Sequence, residues 1–138
     1  MARPVCNPMI SHIFIGVNDF NAAFRFYDAV LGCLGHVLRF RDDARPWAGW
    51  QIPGVARPLF LIGAPDDGEP ASVGNGAMVA LLAPTRAAVD AAHASGLTMG
   101  GRDAGAPGLR PHYHADYYGA CLRDPDGNKI AVACHDRP

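Results

Sequence analysis

The strongest constraint on this chain is an internal repeat. Met9–Val17 is rich in β-branched and aromatic residues and ends just before Asp19, a good helix N-cap. A shift of 66 places Asp19 on Thr85, a second helix cap, and His12 on Met78 in the apolar run Ala77–Ala83. A shift of 70 places Gly49 on Gly119, Ile52 on Leu122 and Leu61 on Ala131. Few of the matched residues are identical. What repeats is the order and spacing of elements, so the chain reads as two copies of one supersecondary unit.

The unit is β-α-β-β-β. In the first copy, Met9–Val17 reads as a strand. Phe20, Ala23, Phe24, Tyr27, Val30 and Leu31 recur at helical spacing, and Gly32 and Gly35 close that helix. Strands are expected at His36–Arg41, Trp47–Ile52 and Pro58–Ile62, with a turn at Pro53-Gly54. Residues 65–76, rich in Gly, Pro, Asp and Ser, read as a linker. In the second copy Ala77–Ala83 is a strand, and Arg86–Ser95 is a helix closed by Gly96. A weak strand is expected near Leu97–Gly100, and Gly101–Pro111 reads as a loop. Strands Tyr117–Arg123 and Asn128–Cys134 are joined by the hairpin signal Asp124-Pro125-Asp126-Gly127. The fold class is therefore α+β: a single domain over 1–138, with modules at about 9–64 and 77–135.

Composition narrows the function. Apolar residues make up 49% of the 138 and charged residues 18%, which excludes intrinsic disorder. The net charge of −1 lacks the basic excess of a general nucleic-acid or anionic-membrane binder. No apolar run approaches the roughly 20 residues of a membrane span, and no secretory signal is visible at the N-terminus. Cys6, Cys33, Cys121 and Cys134 form no C-x-x-C pair, so reduced, mostly buried thiols in a cytoplasmic protein are expected.

Several segments together are similar to the vicinal oxygen chelate superfamily, which includes glyoxalase I, extradiol dioxygenases, fosfomycin-resistance enzymes and bleomycin-binding proteins. The carrying residues are Ser11-His12-Ile13, Asn18-Asp19, Phe26-Tyr27 with Val30-Leu31-Gly32, His112–Tyr118, and Arg123–Asn128. The resemblance spans about residues 9–135. It implies two β-α-β-β-β modules whose sheets form a U-shaped trough for a small organic molecule. It also implies pairing of two chains as a homodimer, with no nucleic acid or membrane as partner. In many members a divalent ion (Zn, Ni, Mn or Fe) in the trough holds two neighbouring substrate oxygens.

The positions that the resemblance gives to metal ligands are His12, Leu61, Met78 and Ala131. Only His12 suits such an ion. Leu61 and Ala131 have no donor atom, and the Met78 thioether suits soft ions. A catalytic site normally needs about three protein ligands, so the usual metal site is not expected.

Two readings stay open. In the first, the protein is a glyoxalase-like enzyme, a relative of lactoylglutathione lyase or the dioxygenases, with lyase or isomerase chemistry centred on His12. In the second, it is a metal-free binder of a small molecule or drug, like the bleomycin-resistance branch. Both place Phe14, Trp50, Met78, His112, His114 and Tyr118 against the ligand. Trp47, Phe60, Tyr113 and Tyr117 are further candidates for its walls, and Arg110 for an anionic anchor. His36, His93 and His135 read as surface or edge residues.

Overall fold

Residues 8–138 are described in a computed structural model of the chain. Strand alternation sorts each sheet into two faces. In β1 (His12–Gly16), Ile13 and Ile15 pack onto the core while His12 and Phe14 stay exposed. The chain continues through α1 (Phe20–Cys33), β2 (Val37–Asp42), β3 (Trp47–Gln51) and β4 (Leu59–Gly63). The second unit is β5 (Val79–Leu82), α2 (Arg86–Thr98), β6 (Arg102–Leu109), β7 (Tyr118–Arg123) and β8 (Lys129–Cys134).

Each unit makes one four-stranded sheet, ordered β1-β4-β3-β2 in the first and β5-β8-β7-β6 in the second. The first and last strands of each unit pair in parallel and the others antiparallel. The register repeats as well. Phe14 faces Leu61 in the first sheet, and Ala80 faces Ala131 in the second. These pairs are related by the two sequence shifts.

The caps form as expected. The Asp19 side chain accepts from the Ala22 N–H at 3.1 Å, and Thr85 Oγ1 accepts from the Ala88 N–H at 3.0 Å. α1 buries Ala23, Phe26, Tyr27, Val30 and Leu31, and α2 buries Val89 and Ala92. The helices pack on each other and on the covered faces of both sheets, giving one continuous core.

Two expectations about the second unit need correction. α2 does not stop at Gly96 but runs to Thr98, across the stretch expected as a weak strand. Gly96 is where the helices touch: a Cβ there would lie 2.6 Å from Leu122 Cδ1 and 3.1 Å from Phe26 Cε2. The stretch expected as a loop contains β6. It is an edge strand with two register irregularities against β7, a setting that tolerates Pro107 and its neighbouring glycines.

The β7–β8 turn binds the halves together. Asp124 is fully buried, and its carboxylate accepts from the Tyr27 hydroxyl at 2.6 Å, from the Asp126 and Asn128 N–H groups at 2.9 Å each, and from Asn128 Nδ2 at 2.9 Å. Asn128 Nδ2 also donates to Gly16 O at 3.1 Å, at the end of β1. Next to this group, Asp126 Oδ1 accepts from the Asn18 N–H at 3.0 Å, while Oδ2 is buried without a partner. Burial first, then the neighbouring Asp124 and Asp19, raises the Asp126 carboxyl above its ordinary value. A raised folded value favours the protonated form, so ionising Asp126 works against folding at neutral pH. Asp126→Asn is therefore expected to raise Tm at pH 7, with the gain shrinking as pH falls into the carboxylate range. Thermal melts at pH 7 and pH 4 check this.

His93 departs from its expected surface role. It is buried, and its Nε2 lies 2.9 Å from Asp103 Oδ1, tying α2 to β6. Cys33, Cys121 and Cys134 are free thiols, and Cys6 lies outside the described residues. Among the described residues no helix is long and apolar enough to cross a membrane.

Candidate functional site

The helix-free face of the first sheet carries a cleft of about 810 Å³, within the usual range for small-molecule sites. Its floor follows from alternation. His12, Phe14 and Gly16 come from β1, Leu61 from β4, and Trp47 from β3. Gly63 makes this packing possible: a Cβ there would lie 2.9 Å from Trp47 Cβ, 2.9 Å from Pro46 O and 3.2 Å from Phe14 Cζ. Gly63→Ala should displace Trp47 or Phe14 and lower stability by about 1–3 kcal/mol, read as a lower urea midpoint.

Trp47 is held on both sides. The Phe40 ring packs against it edge-on at 4.7 Å, and the Arg45 guanidinium lies 3.8 Å from its ring centroid. Ala64, Pro65, Asp66 and Asp67 form the rim. Near the mouth, exposed His12 has its Nδ1 3.0 Å from Ser11 Oγ. Its Nε2 has no protein partner among the described residues.

The candidates named from the sequence are not brought to one place. His12 and Phe14 lie in this cleft. Trp50, expected against the ligand, lies on the opposite face and is 1% exposed. It stacks on Phe24 at 5.5 Å and donates from Nε1 to Asp28 Oδ1 at 3.1 Å. One strand position decides this, since Trp47 shares the face of Gly49, which pairs with Leu61, and Trp50 does not. Tyr118 likewise faces α2, donating its hydroxyl to Asp90 Oδ1 at 2.6 Å. That bond, then burial, raises its phenol above the ordinary value. Phe60, offered as a wall, is core and packs on Tyr27 at 5.2 Å.

Met78, His112 and His114 belong to the second module. Met78 borders a separate cleft on the second sheet. His112 and His114 join an aromatic cluster at the far end of β7 and β8. There His112 meets Tyr113 at 4.3 Å, Tyr113 meets Tyr117 at 4.8 Å, and His114 stacks on His135 at 5.0 Å. The Asp116 N–H donates to His114 Nδ1 at 3.2 Å, so His114 Nε2 carries the proton and donates to His135 Nδ1 at 2.7 Å. Both ring nitrogens of His114 are thus engaged by protein. Arg110 lies along β6, donating to Gly108 O at 3.1 Å and Ala106 O at 2.7 Å.

The donor set does not fit the divalent ion that the resemblance implies. Leu61 and Ala131 present only carbon, and Met78 presents a thioether, which suits soft ions. Among the described residues, no group of three or more His, Cys, Asp or Glu is placed to hold a metal. Sequence reasoning missed Arg45, Asp66 and Asp67 as cleft residues. All three lie in turns, where no periodicity marks the facing side.

Solved structures similar to the chain share this architecture. A glyoxalase/bleomycin resistance protein from Albidiferax ferrireducens is 38% identical, with a TM-score of 0.80 over 95% of this chain and 100% of that one. A glyoxalase/bleomycin resistance protein/dioxygenase family enzyme from Burkholderia phytofirmans is 20% identical, with a TM-score of 0.67 over 91% and 98%. TnmS3, an antibiotic binding protein from a Streptomyces species, is 19% identical, with a TM-score of 0.61 over 94% and 98%. These last two likenesses are of fold alone. A search of curated proteins returns no match. The model of the glyoxalase/bleomycin resistance protein/dioxygenase superfamily matches residues 9–132. That match runs from β1 into β8 and so takes in nearly all of the duplicated β-α-β-β-β plan; the chain belongs to this superfamily.

Proposed function

We propose that the cleft on the first sheet binds a planar, largely apolar small molecule through side chains rather than through a chelated divalent ion. The observation that carries this reading is Trp47, held between Phe40 and Arg45 beside Phe14 on a floor where Leu61 replaces a ligating residue. The ring face suits an aromatic ligand, and Arg45 suits an acidic or acceptor group on it. The test is fluorescence of a Trp50→Phe variant, which leaves Trp47 as the reporter. Titration with catechols and naphthoquinones should give a saturable change that Phe14→Ala weakens about tenfold, the loss of one well-packed aromatic contact. A flat response across both classes would contradict the proposal.

An enzymatic form of the reading places proton transfer on His12 Nε2, with Nδ1 held by Ser11. Turnover of the methylglyoxal–glutathione hemithioacetal or of catechols, abolished by His12→Ala, would favour it over simple binding. The reading also takes the protein as cytoplasmic, in keeping with its free thiols, and as a homodimer. Phe14, Met78, Leu82 and Tyr113 stand exposed on the chain, with Leu82 at 70%. A second copy is proposed to cover Leu82, on the edge strand β5. Sedimentation should give twice the chain mass, and Leu82→Asp should shift it toward one.

A further inference from the structure

We infer that the second module carries an anion site for a phosphate-bearing small molecule. A cleft of about 660 Å³ on the second sheet is lined by Arg102, Arg123, Lys129, Met78 and the loop at Gly74 and Gly76. No acidic residue lines it. The three cations are neighbours by strand register, since Arg102 pairs with Arg123 across β6 and β7, and Arg123 pairs with Lys129 across β7 and β8. Like charges directly opposite on a sheet destabilise it, so a row of three calls for a counter-charge.

Among the described residues no carboxylate pairs with these three cations. The ion pairs among the described residues are Arg41–Asp43, His93–Asp103 and Arg137–Asp116, and residues 1–7 contain no Asp or Glu. The carboxylates next to these cations along the chain face other groups: Asp103 meets His93 Nε2 and the Gly105 N–H, Asp124 meets Tyr27 and Asn128, and Asp126 accepts from the Asn18 N–H through Oδ1 while its Oδ2 is buried without a partner. Arg123 is held in place by a bond from Nη1 to Gly127 O at 3.1 Å. Arg102 and Lys129 have no protein acceptor among the described residues. Guanidinium forks match the geometry of a tetrahedral oxyanion, and a dianion answers three positive charges better than a single carboxylate does. Met78 and Val73 give the cleft an apolar wall beside the cations, suited to the carbon portion of such a molecule.

This site is built from the end of the linker and the second module and does not depend on the reading of the first cleft. Its test is titration of the full chain with inorganic phosphate and with phenyl phosphate at low ionic strength, followed by amide NMR shifts. The expected result is saturable binding with a Kd of about 1 mM or tighter, centred on residues 73–78 and 123–129. Lys129→Met and Arg102→Met should each weaken it about tenfold or more, the loss of one charge-assisted contact. Neither should lower Tm in phosphate-free buffer, because each relieves like-charge repulsion. No saturable shift with either probe, or an affinity in both variants unchanged from that of the parent chain, would overturn the proposal.

Discussion

Asp124→Ala should unfold the protein or bring it close to unfolding, at a cost of about 3–5 kcal/mol against a typical total of roughly 5–15. The reason is accounting of donors. The substitution leaves the Tyr27 hydroxyl, two backbone N–H groups and the Asn128 amide without their acceptor, around a carboxylate that is fully buried. An unsatisfied buried donor costs more than its bond contributed. Denaturant melts of Asp124→Ala and Tyr27→Phe separate the parts. Tyr27→Phe removes one donor and leaves the carboxylate three others, so a loss of about 1–2 kcal/mol is expected.

The same pair sets an alkaline limit. Burial first, then the charge of Asp124, raises the Tyr27 phenol well above its ordinary value of 10.0. The stabilisation that follows is complete below that ordinary value and is lost as pH climbs beyond it. Tyr27→Phe should therefore show a shallower fall in stability above pH 10 than the parent chain.

Trp50→Ala and Trp47→Ala should have opposite consequences. Trp50 is core, under α1 on Phe24 and bonded to Asp28, so its truncation should cost about 3–5 kcal/mol. Trp47 lines the cleft, and its loss should abolish ligand binding measured by calorimetry while lowering stability far less. Chemical melts and ligand titration on both variants give this contrast. Comparable destabilisation by the two would mean that Trp47 serves packing more than recognition.

These two tryptophans also show how far the sequence could be read. Both sit in a strand that alternation identifies, but the face of each depends on register against Leu61, which no single segment encodes. The caps at Asp19 and Thr85 were legible because capping is a local bond between a side chain and an amide a few residues on. β6 was not legible, since Gly and Pro mark a loop and only pairing with β7 makes the segment a strand. Gly96 carried the signature of a helix end, while its cause is contact with Phe26 and Leu122 from distant parts of the chain. The row Arg102, Arg123 and Lys129 is dispersed in sequence and exists only through two strand registers. Of the site itself, His12 and Phe14 followed from the first strand alone.

In the proposed function, the first cleft recognises an organic ligand without a chelated divalent ion. Metal content by plasma mass spectrometry on untagged protein, followed by calorimetric titration with Zn, Ni, Mn and Fe(II), tests it most directly. Well under one equivalent of bound metal is expected, with no uptake at micromolar levels that depends on His12. One equivalent of tightly bound metal, lost in His12→Ala, would contradict it and restore an oxygen-chelating site built on that histidine.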